Sequence, residues 1–164
     1  MIQQYLSIFI VFAIIGWFLE VGHKLILMRK FINTGYLFGP YLPIYGFGGL
    51  ILYLINNSLN NFYLVVGITW ISLIILELGV GLFFKDLLKI KVWDYSNDRF
   101  NFKGAIDLEH SIYWLILITI FTKTVYPYLP FTFNNYFLIV AYSILLIDLL
   151  HSIITKRKPN LSNL

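Results

Sequence analysis

Three carboxylates sit inside apolar runs: Glu20 in WFLEVGH, Glu77 in ILELGVG and Asp148 in LIDLLHS. A charge at that depth is costly unless it pairs or neutralises, so such residues face the bundle interior. There they bind a cation, carry a proton, or hold helices together by one hydrogen bond. Two of them have an imidazole three residues on, as Glu20–His23 and Asp148–His151. Carboxylate-x-x-His pairs on facing helices hold metal ions in some bundles, and Glu77 could complete such a set. The spacing is short enough to arise by chance, and histidine is ordinary near the interface. No metal or other cofactor is expected, with His23 and His151 as the only candidates.

A second concentration of polar groups is WDYSNDRFNFKGAIDLEHS, residues 93–111, which holds four of the eight acidic residues, Asp94, Asp98, Asp107 and Glu109. Trp93 and Tyr95 suit the headgroup level. Asp94 and Ser96 can cap a turn, and Asn101 and Gly104 suit a tight one. Asp107 and Glu109 stand where a helix N-terminus favours negative charge. The segment is polar enough to roof a cytoplasm-facing pocket holding Glu20, Glu77 and Asp148.

The elements that must position these groups are membrane helices. The chain has 164 residues, of which 59% are hydrophobic and 12% charged. A soluble domain of that size cannot hide so much apolar surface. The expected class is all-α, a single transmembrane helical domain over residues 1–155 with a polar tail at 156–164. At this length no separate catalytic module is expected. The absence of cysteine excludes disulfides, thiolate metal sites and cysteine nucleophiles. The net charge of +4 is spread beside apolar runs, so no nucleic-acid surface is expected. No Lys or Arg precedes the first run, which is expected to stay as a helix and not be cleaved.

Crossing the hydrocarbon core takes roughly 20 apolar residues. Five spans are expected, at about 5–28, 41–55, 62–84, 111–129 and 133–155, with 85–110 as a cytoplasmic interfacial segment. On this scheme eleven of the twelve basic residues fall on one side, all but Lys123. The excess of positive charge in cytoplasmic loops then places the N-terminus outside and the C-terminus inside. NTGYLFGPYLPIYGFGG, residues 33–49, is too rich in proline and glycine to start an ordinary helix. It is either a bent or re-entrant entry into the second span, or an interfacial loop of belt tyrosines.

The motifs in order are Trp17-x-x-Glu20, then Asn33-x-Gly35-x-Leu37-x-Gly39-Pro40, then Pro43-Ile44-Tyr45-Gly46-Phe47-Gly48. Glu77, Trp93-Asp94-Tyr95-Ser96, Phe100-Asn101-x-x-Gly104 and Ser111 follow. In this the chain resembles the Putative ABC-transporter type IV (CmpB-like) membrane family over about residues 17–114, and Asp148 fits as well. Thr34 and Ala105 stand where the family often has arginine, so any anion contact there is not carried over. The resemblance implies a small permease-like protein of the cell membrane. Its polar pocket would draw on Glu20, Glu77, Asp94, Tyr95, Asn101 and Asp148. Its structural motif would be Gly39, Pro40, Pro43, Tyr45, Gly46, Trp93, Gly104 and Ser111. There is no G-x-x-x-x-G-K-[ST] loop, so transport by an ABC system would need a separate ATPase subunit. The chain could be complete alone or part of a homo-oligomer. The alternatives are an enzyme on lipid-like substrates, using Asp94, Asp107, Glu109, His110 or the carboxylate–histidine pairs, and a non-catalytic scaffold. Transport ranks first, so an enzyme is not the expected class.

Overall fold

The computed structural model describes residues 1–129 and 131–157. Of the polar tail, 158–164 lie outside the described residues. The chain is all-α, and the described residues form five α-helices: α1 Ile2–Met28, α2 Pro43–Ser58, α3 Phe62–Leu82, α4 Leu108–Thr124 and α5 Asn135–Ile154. Three stretches are long and apolar enough to cross a membrane, Ile2–Met28, Phe62–Leu87 and Asn135–Ile154. The helix faces carry many exposed Ile, Leu and Phe side chains, as lipid-facing surfaces do.

Local chemistry explains where helices start and stop. Asn61, Asp107 and Asn134 are side-chain caps of α3, α4 and α5, each accepting from backbone N–H groups of the first turn. Asp107 therefore starts α4 at Leu108, three residues before the apolar run suggests. That helix ends at Thr124, and a 3-10 turn over Tyr126–Tyr128 follows it. Beyond α3 a π turn, Phe83–Leu87, carries the chain to Leu88.

The contacts group the chain into two compact units, Met1–Phe47 with Phe131–Leu164, and Gly48–Pro130. In the first unit α5 runs in the same sense as α1. Gln3 Nε2 donates to Phe133 O at 2.7 Å, Phe133 N–H to Ser7 Oγ at 3.0 Å, and Tyr142 O–H to Leu6 O at 3.0 Å. α1 ends at Arg29, whose φ of 54° turns the chain out of the helix.

The chain then folds back along α1. Trp17 Nε1 donates to Asn33 Oδ1 at 2.6 Å, and Asn33 Nδ2 to Phe38 O at 2.7 Å. Leu42 N–H reaches Ala13 O at 2.9 Å, about 22 Å short of the C-terminal end of α1 at 1.5 Å per residue. So α2 starts at mid-height, with Pro43 as its first residue, where a missing N–H costs nothing. The proline–glycine segment thus folds back along α1, and α2 is short because it starts part-way along that helix. Two glycines permit the contact. A Cβ on Gly16 would lie 2.1 Å from the Tyr45 ring, and one on Gly46 would lie 2.9 Å from Phe9 O. Small residues at such crossings let backbones approach.

In the second unit α3 and α4 are antiparallel. Lys123, in the last turn of α4, lies over the Phe62 ring at the start of α3, and Trp70 Nε1 donates to Ser111 O at 2.7 Å. Between them, residues 88–107 form a tight lasso. Tyr95 N–H donates to Gly104 O at 3.0 Å, Phe102 N–H to Ile106 O at 2.8 Å, and Trp93 Nε1 to Ala105 O at 2.8 Å. Gly81 lets the lasso settle on α3, since a Cβ there would stand 3.0 Å from that of Ala105.

Candidate functional site

Glu77 is the centre of the second unit. It sits in the last two turns of α3 and is 4% exposed. Trp114 Nε1, in the second turn of α4, donates to Oε2 at 2.9 Å. Tyr95 O–H, from the lasso, donates to Oε1 at 3.3 Å. The carboxylate is therefore held by one neutral donor from a helix and one from the lasso.

The lasso is fixed by its own polar residues. Asp94 accepts from Lys91 Nζ and from Ser96 Oγ and N–H. These contacts, the lysine first, hold its carboxyl down to about 2. Asn101 Oδ1 accepts from Gly104 N–H at 3.0 Å while its Nδ2 donates to Asp98 O at 2.8 Å. Gly104 has φ 68°, and a Cβ would meet Ser96 Oγ at 2.5 Å and Asp94 Oδ1 at 2.7 Å. Ser111 Oγ donates to Asp107 O at 2.6 Å. Glu109 accepts from Tyr113 O–H.

In the first unit Glu20 and Asp148 have separate partners. Glu20 Oε1 accepts from Tyr45 O–H at 2.8 Å. Asp148 accepts from the backbone N–H of Phe38 at 3.0 Å and of Gly39 at 2.6 Å, and from Ser152 Oγ at 3.2 Å. It thus satisfies two donors that the irregular segment around Pro40 leaves without helix partners. A cavity of about 420 Å³ adjoins it, lined by Phe38, Tyr41, Ile144, Ile147, Asp148 and His151. His151 packs edge-on against Phe38. Among the described residues, neither His23 nor His151 belongs to a group of three ligand-type side chains, whereas Asp98, Asp107 and His110 form one. Sequence reading named Asp107 and His110 as chemistry-bearing but did not join Asp98 to them. The signal it lacked was the lasso, which folds residue 98 back onto the head of α4.

A family model described as Putative ABC-transporter type IV matches residues 7–153. The chain belongs to this family. No curated protein and no solved structure matches it. As a member of the CmpB-like family it is a small multi-pass membrane protein related to ABC-transporter permeases. The match takes in Trp17–Glu20, the proline–glycine segment, Glu77, the lasso and Asp148.

Proposed function

We propose that this CmpB-like protein is the membrane component of a transporter, crossing the bilayer five times with its N-terminus outside and its C-terminus in the cytoplasm. The shared sense of α1 and α5 supports an odd number of crossings between them, which α2, α3 and α4 supply. α4 has 17 residues, about 26 Å of helix, close to the hydrocarbon thickness of about 30 Å. The distribution of the basic residues supports the orientation.

The observation that carries the transport reading is the Glu77 carboxylate, buried in a span yet bonded to the lasso through Tyr95. A cation or proton taken up by Glu77 competes with the Tyr95 hydrogen bond. Loosening Tyr95 alters the segment that faces the cytoplasm. Phe100, 70% exposed, with Arg99, Phe102 and Lys103, offers a docking surface there for a separate ATPase subunit. Glu20 and Asp148 hold the re-entrant segment in this reading, and Asp94 and Asn101 hold the lasso.

The test is gentle purification from native membranes followed by native mass spectrometry, which also reads the oligomeric state. The expected result is a stoichiometric ATPase partner that Phe100→Ala or Arg99→Glu dislodges. Glu77→Gln should keep the partner and lose solute-dependent activity. A protein that copurifies with no ATPase overturns the reading. The Asp107–His110 pair favours a second reading, an enzyme acting on lipid-like substrates. That one is excluded if His110→Gln leaves the host's lipid profile unchanged.

A further inference from the structure

The head of α4 carries an arrangement that neither capping nor belt chemistry accounts for. The Asp107 carboxylate, 3% exposed, caps α4 through the N–H groups of Glu109 and His110. It also bonds the His110 Nδ1 at 2.8 Å. A carboxylate can only accept, so Nδ1 carries the proton of this bond, and a cation taking that proton's place would be held by both groups. The ring is fixed from its face as well, stacked on Tyr95 with centroids 4.2 Å apart.

Asp98 supplies the further ligand. One ligand atom from each of Asp98, Asp107 and His110 lies within 4.8 Å of the other two. Asp98's carboxylate has no hydrogen bond or ion pair among the described residues. The basic side chains of the lasso are directed elsewhere. Lys91 pairs with Asp94, Arg99 lies over Phe100, and Lys103 lies over Phe102. Among the described residues, two carboxylates are thus brought together with one imidazole and without a lysine or arginine ion pair to Asp98 or Asp107.

We propose that Asp98, Asp107 and His110 bind one divalent transition cation at the head of α4. Two oxygens and one nitrogen suit zinc or manganese better than calcium. Bonds of about 2.0–2.2 Å require ligand atoms no more than about 4.4 Å apart. The exposed Asp98 side chain has the rotational freedom to meet those bond lengths. Because Tyr95 both stacks on His110 and bonds Glu77, an occupied site would brace the Tyr95–Glu77 hydrogen bond.

The full chain in detergent, stripped with EDTA, is dialysed against graded zinc chloride, and metal per chain is measured by mass spectrometry. One zinc per chain is expected. Asp98→Asn and His110→Gln should each weaken binding by about tenfold or more, the scale seen when a site's supporting groups are lost. His23→Gln should bind as wild type does. Asp98 is exposed and holds nothing else in place, so its variant should fold, as helix content by circular dichroism will check. No stoichiometric zinc, or an Asp98→Asn variant that binds like wild type, overturns the proposal. The readout is metal content alone, so it stands or falls separately from the transport reading.

Discussion

Thr69 is fully buried in α3, and its Oγ1 has no hydrogen-bond partner among the described residues. A buried hydroxyl without a partner is a cost, so Thr69→Val, which keeps the shape, should be neutral or stabilising by up to about 1 kcal/mol. A thermal melt in detergent followed by tryptophan fluorescence would read it. Gly104→Ala should do the opposite. It would force a side chain into positive φ and onto Ser96 and Asp94, and strain of this kind costs about 1–3 kcal/mol. Faster proteolytic nicking of the lasso is the expected sign. Asp94 adds a pH dependence. Its carboxyl is held at about 2 instead of the ordinary 3.8, so the folded lasso binds the ionised form better. The stabilisation is full above the unfolded value and is lost as pH falls through about 2. Fluorescence of the adjacent Trp93 should therefore hold steady from neutrality down to about pH 4 and change below it. A change centred near pH 6 would refute this.

At the scale of elements, the α1–α2 contact depends on absent side chains. Gly16→Leu would drive methyl groups into the Tyr45 ring, and the protein should fail to reach its native fold, seen as loss of the monodisperse peak on gel filtration. Asp148→Asn leaves one good acceptor where two backbone donors converge. The proline–glycine segment should loosen, and a cysteine placed at Thr34 should react faster with maleimide. An unchanged rate would mean that Asp148 does not hold that segment. The glycines and prolines of 33–49 announced irregular backbone in the sequence, because no regular helix tolerates them. That the segment turns back to Ala13 was not legible, since it depends on Trp17, Asn33 and Asp148, residues far apart in the chain, meeting across it.

The whole molecule contains no cysteine, which makes its topology directly testable. In cells, Ser58→Cys should react with an impermeant maleimide from outside, and Arg99→Cys only after permeabilisation. Labelling of both from one side would end the five-span scheme. Asn57 accepts from Tyr126 O–H at 2.8 Å, so the end of α2 and the turn after α4 support each other. Tyr126→Phe should raise labelling at position 58 without inverting it.

Composition alone determined that this chain lives in a bilayer, because its apolar residues exceed what a small soluble core can cover. Its charges and caps limited where helices could begin, and its motifs located the family. What only tertiary structure decided is which polar groups meet. Each carboxylate in an apolar run needed a partner, but a sequence does not say whether that partner is a metal, another charge or a backbone amide. The fold gave Asp148 two backbone amides, Glu20 a tyrosine, and Glu77 a tryptophan and a tyrosine. Asp98 it brought, by way of the lasso, beside Asp107 and His110. Those assignments depend on contacts spanning many residues, and helical periodicity carries no information about them.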